Sequence, residues 1–181
     1  MRSAIVIVHG GWVLAALLVI GCASTERPRI QPDVVALPTP LRSYGASLAS
    51  AVGQLQAAVA AAGSRLESAA APYRPSEPQS LLQVPRVILR ADLAEPDIGY
   101  VVVYQAVDAA AAQERAADLA AYLGSGFGQT NYLADTRFSV AVLGDAVVFM
   151  SWSPSRSSDP DRARAVFDAV AAVGRSVEVR R

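Results

Sequence analysis

The sequence predicts an α+β domain: a long N-terminal helix followed by β-β-α-β-β-α, with a four-stranded, mostly antiparallel sheet and its helices on one face. Three observations predict it. An alanine-rich stretch over residues 43–71 carries apolar residues at helical spacing. Two pairs of alternating apolar segments follow, each pair joined by a short connection. Each pair leads into a helical segment opened by an aspartate, Asp108 and Asp159.

The first helix is predicted from Ser43 to Ala71, where Pro72 stops it. Leu48, Val52, Leu55, Val59, Ala62, Leu66, Ala69 and Tyr73 recur at alternating spacings of four and three, a heptad-like seam. Gly53 and Gly63 each cost up to ~1 kcal/mol against alanine inside a helix. The seam fits a helix covering its own sheet or one facing a second chain. Residues 72–85 hold Pro72, Pro75, Pro78 and Pro85 and are expected to be a linker before the α+β domain of residues 86–181.

There the period changes to two. Arg86 to Leu93 and Ile98 to Ala106 are expected to form an antiparallel hairpin across "AEPD". In the second strand Tyr100, Val102 and Tyr104 share one face, Val101 and Val103 the other. Asp108 is placed to cap a helix that ends at Gly124. Arg137 to Leu143 and Ala146 to Trp152 are expected to pair across Gly144-Asp145, a two-residue turn. Asp159, with Pro160 in the first turn, is placed to cap a last helix that Gly174 terminates. Ser176 to Val179 suits a short edge strand.

Ahead of the domain, Arg2 precedes an apolar run from Ala4 to Ile20. Seventeen residues are short for a membrane span, which needs about 20. They suit a secretory signal of residues 1–21. Val19-Ile20-Gly21-Cys22 resembles the lipobox of bacterial lipoproteins, with the chain's only cysteine in the lipidated position. The resemblance implies cleavage after Gly21, diacylglycerol on Cys22 and acylation of the new amino terminus. Two or three acyl chains at ~0.8 kcal/mol per buried CH₂ hold a protein stably; one does not. An uncleaved anchor is the main alternative. Ala23 and Ser24 follow the cysteine, with no aspartate to favour inner-membrane retention. The expected location is the cell envelope, at the outer membrane if the cell has one. Residues 22–42, with Pro28, Pro32, Pro38 and Pro40, would be a semi-extended tether. The order of the later elements resembles that of lipoproteins with no assigned activity.

Composition removes several chemistries. All 16 basic residues are arginine, so a lysine Schiff base is excluded. The single histidine, His9, lies in the leader, so a processed chain has no Ser-His-Asp triad and no histidine ligand for zinc. Without Arg2, 15 arginines face 16 acidic residues, which is no basic footprint for nucleic acid. No cofactor is expected.

The remaining motifs have bland readings. "GSGFGQ" (124–129) follows a helix and precedes a strand, the reverse of a phosphate loop, and suits a helix cap with Phe127 folding back. Asp92, Glu95 and Asp97 are weak metal candidates that lack the calcium-loop pattern and suit a solvated turn. Among the aromatics of the second half, Tyr122, Phe127, Tyr132 and Trp152 are the candidate binding groove. Trp152 shares a strand face with Val148 and Met150 and sits beside the loop "SPSRSSDP", whose serines have no base to activate them.

These features lead to an expected role that is non-catalytic: a membrane-anchored protein that binds a small ligand or an envelope protein partner. Two alternatives stay open. One is an envelope hydrolase using pairs among Asp92, Glu95, Asp97 and Asp135, which would need carboxyls about 5 to 9 Å apart. The other is an oligomeric structural protein joined through the Leu48 to Leu66 seam.

Overall fold

A computed structural model describes residues 46–70 and 73–180. The expected signal sequence, Cys22 and the tether of residues 22–42 lie outside the described residues. So do the first residues and the last residue of the predicted first helix.

Helix α1 spans Ala46–Ala61, α2 Ala109–Gly124, α3 Gly126–Gln129 and α4 Pro160–Ala171. The strands are β1 Leu66–Ser68, β2 Arg86–Ala91, β3 Tyr100–Gln105, β4 Arg137–Leu143, β5 Ala146–Trp152 and β6 Arg175–Ser176. They form one six-stranded sheet, order β1-β2-β3-β5-β4-β6, with every neighbouring pair antiparallel. The α+β class stands, but the four-stranded sheet does not. β1 and β6 add an edge strand at each side.

The first helix accounts for one of the extra strands. It stops at Ala61 instead of running to Ala71. Gly63 takes a φ of +76°, its amide bonds the carbonyl of Ala60, and the amide of Ser64 reaches back to the carbonyl of Val59. This paired closure is a Schellman motif, which ends a helix at a left-handed glycine. Leu66, the next member of the seam, sits in β1 opposite Ala91. The seam members Leu48, Leu55 and Val59 are buried within the domain against β2, β3, β5 and α4.

The helices also lie on both faces, not one. α1 and α4 pack on the face carrying Val101, Val103, Val148 and Met150. α2 packs on the face carrying Val102, Tyr104, Val147 and Phe149. The cause lies in β3 and β5, which are buried on both sides. A strand apolar on both faces must be covered twice, which makes three layers.

The local punctuation follows the sequence. Asp108 accepts from the amide of Ala111 at 2.8 Å and Asp159 from that of Arg162 at 3.0 Å. Gly144 has a φ of +63° in the β4–β5 turn, where Leu143 pairs with Ala146. Among the described residues no helix is long and apolar enough to cross a membrane.

Candidate functional site

Residues 73–85, expected to be a linker, form a strap fixed to the domain at both ends. At its centre the Glu77 carboxylate, 1% exposed, receives Arg86 Nη1 at 2.7 and 2.6 Å and the Tyr104 hydroxyl at 2.7 Å. Arg86 Nη2 also donates to the carbonyl of Leu82 at 2.8 Å. A buried charge survives only when paired and hydrogen-bonded, and this one has both. Burial, and next the bond to Glu77, push the Tyr104 phenol far above its ordinary range.

The start of the strap lies along one end of the sheet. Tyr73 stacks on Tyr100 with ring centroids 4.1 Å apart and planes 2° apart. Burial raises the pKa of the Tyr73 phenol, and the neighbouring Ser151 side chain partly offsets this. Ser76 Oγ and the Tyr122 hydroxyl are 2.6 Å apart, and the Tyr132 hydroxyl donates to the carbonyl of Ser76 at 3.3 Å. Burial likewise raises the Tyr132 phenol.

Between strap, sheet end and the following loops lies a cavity of about 700 Å³. Its aromatic walls are Tyr73, Tyr100, Tyr132 and Trp152. Hydroxyls come from Ser76, Thr130, Thr136, Ser151 and Ser153, and Thr136 Oγ1 lies 2.5 Å from Ser153 Oγ. Asp97 and Arg156 pair with each other on the lining. The indole N–H of Trp152 is buried without a hydrogen-bond partner.

Of the four aromatics expected to form a groove, two meet here. Tyr132 and Trp152 line the cavity; Trp152, 5% exposed, backs onto Phe167 with centroids 5.8 Å apart. Tyr122 is outside the lining and holds the strap through Ser76. Phe127, 74% exposed on α3, folds back edge-on against Tyr122 at 6.1 Å. "GSGFGQ" thus caps α2 and turns into α3, with Ser125 Oγ accepting from the amide of Gly128. A Cβ on Gly128 would overlap the Tyr122 carbonyl oxygen, so the turn requires glycine there.

Sequence reasoning missed Tyr73 and Tyr100. The first fitted the end of a heptad seam and the second a strand face. Their stack joins residues 27 positions apart, and no local pattern announces it.

The acidic residues have defined partners. Asp92 lies 3.7 Å from Arg65 and 3.8 Å from Arg162. Asp97 binds Arg156, Glu95 accepts from the amide of Ser158, and Asp135 accepts from the amide of Ser155 at 2.8 Å. Three carboxylates therefore pin the "SPSRSSDP" loop beside the cavity. The Ser158 side chain, and next its amide, hold the Glu95 carboxyl below its ordinary pKa, and the Ser155 amide does the same for Asp135. Among the described residues, no three His, Cys, Asp or Glu side chains form a group that could hold a metal ion.

Comparison with protein-family models, with curated proteins and with solved structures gives no match.

Proposed function

We propose that this is a lipid-anchored protein of the cell envelope whose globular domain binds a small ligand in the cavity at the end of the sheet, without catalysing its conversion. The observation that carries the binding part is the cavity itself. Its volume falls in the range of about 300–1,000 Å³ typical of small-ligand sites. Four aromatic side chains line it together with many polar ones, a lining more polar than most such sites have. The non-catalytic part is supported by the missing bases: no lysine anywhere, no histidine beyond His9, and nearby carboxylates engaged in holding a loop. The anchor is supported by the lipobox pattern at Cys22.

Two experiments test this. Cys22→Ala should move the expressed protein from the membrane fraction to the soluble exported fraction; retention on the membrane would favour an uncleaved span. Thermal-shift screening of the full chain against a broad metabolite panel should find a stabilising ligand whose effect disappears in Tyr100→Ala. Stabilisation that survives this change would move the site elsewhere, and turnover of any panel member would remove the non-catalytic part.

A further inference from the structure

We propose that the ligand is a neutral polyhydroxylated molecule, an oligosaccharide of a few sugar units; the proposal rests on the binding reading above. The hydrogen-bond polarity of three lining hydroxyls, beside the aromatic faces, carries it. The Tyr100 hydroxyl donates its proton to the Pro96 carbonyl at 3.2 Å, and that of Tyr132 to the Ser76 carbonyl. Thr130 Oγ1 donates to the Phe127 carbonyl at 2.7 Å. A hydroxyl has one proton and two lone pairs. With the protons directed into the protein, these three oxygens can serve a ligand only as acceptors.

These three acceptors disfavour phosphates and carboxylates, which bring no donors at neutral pH. The fixed charges select against the opposite sign. The lining carries two arginines, Arg74 and Arg156, against one aspartate, Asp97, and that carboxylate is paired with Arg156, which leaves no free anion on the lining to hold an ammonium ligand. Arg156 is paired with Asp97, and Arg74 lies 3.6 Å from Glu77, so each guanidinium charge already has a carboxylate beside it, which weakens its pull on an anion. Acyl chains fit poorly as well, because Pro75, Ile98 and Leu133 are the only aliphatic side chains on the lining.

What satisfies all three constraints is an uncharged ligand rich in O–H donors, with flat C–H surfaces to rest on aromatic rings. Aromatic faces carry partial negative charge, and the C–H groups of a sugar ring are weakly positive. The cavity is roomy enough for more than one ring.

The test is titration calorimetry on the full chain, held in a detergent without a sugar headgroup. Maltotriose, cellotriose and the N-acetylglucosamine trimer are the probes; ATP, spermidine, palmitate and an uncharged tripeptide are the comparators. At least one trisaccharide should bind, and binding should weaken about ten-fold or more in Tyr100→Ala, which removes an aromatic wall. Asn131→Trp, at an exposed lining position, should block the same binding while leaving the melting temperature in place. If a comparator binds in place of the sugars and both variants weaken it, the cavity is a binding site and the saccharide assignment is overturned. If no probe or comparator binds at millimolar concentration to folded protein, the saccharide assignment is likewise overturned; the metabolite screen then decides whether the binding reading falls with it.

Discussion

Tyr73 lies flat against Tyr100, bringing the first described residue of the strap onto the first residue of a central strand. The stack does two things at once. It closes one end of the strap, and it makes a wall of the cavity. Tyr100 also lines a smaller cavity of about 340 Å³ with Arg65 and Arg90.

Removing the stack should loosen the strap. Tyr73→Ala should lose about 0.5–1.5 kcal/mol beyond the effect of lost area. Tyr73→Phe should keep the stack and lose only the polar interaction with Ser151, about 1 kcal/mol or less. Urea unfolding of the two variants measures both, and equal losses would mean that the stack contributes nothing.

Glu77→Gln leaves Arg86 buried opposite a neutral amide. It should cost about 3–5 kcal/mol, the usual result of breaking a buried pair from one side. Adding Arg86→Met should recover much of that loss, because no charge is then stranded. A double-mutant cycle by chemical denaturation reads the coupling.

Two glycines near one helix should respond with opposite signs. Gly53 lies inside α1, and an alanine Cβ there would meet nothing within 4 Å, so Gly53→Ala should stabilise by up to ~1 kcal/mol. Gly63 has a left-handed backbone, so Gly63→Ala should destabilise by about 1–2 kcal/mol. Melting temperatures moving the same way would contradict the observed helix end.

Acid should release the loop beside the cavity. The Glu95 carboxyl is held below its ordinary pKa by the side chain and then the amide of Ser158, and the Asp135 carboxyl by the amide of Ser155. A depressed carboxyl contributes its stabilisation in full above the unfolded pKa of about 4. That contribution is lost as the pH falls through the lower folded value. NMR titration should show the Ser155 and Ser158 amides shifting together below pH ~4, and midpoints above the ordinary carboxylate range would refute the assignment.

The parts of the fold legible in the sequence are those set by short-range chemistry. A two-residue turn at Gly144-Asp145 and aspartate caps at Asp108 and Asp159 act within four residues, and all three form as expected. β1 was hidden because Leu66 lies seven residues after Val59 and so fits both a helical seam and a strand. Three-layer packing was written in "YVVVY" and "VVFM", where apolar residues occupy both faces, but a hairpin pattern alone does not count layers. Tyr132 and Trp152 were legible as aromatics near the ends of elements. The strap was not, because proline-rich composition marks an irregular backbone without telling whether its side chains are anchored. A single buried glutamate decides that, and its partners Arg86 and Tyr104 stand 9 and 27 residues away.

The strand order carries a kinetic consequence. β2–β3 and β4–β5 are local hairpins, each closing over a short loop, and units of that kind form in about 1–10 μs. The seam between them, where Val102 faces Phe149, joins residues far apart in the chain with all of α2 in between. Closing that loop loses chain entropy before the contacts compensate, so docking of the two hairpins should set the folding rate. Truncating Val102 or Phe149 should slow folding, whereas Gly63→Ala at the end of α1 should mainly hasten unfolding.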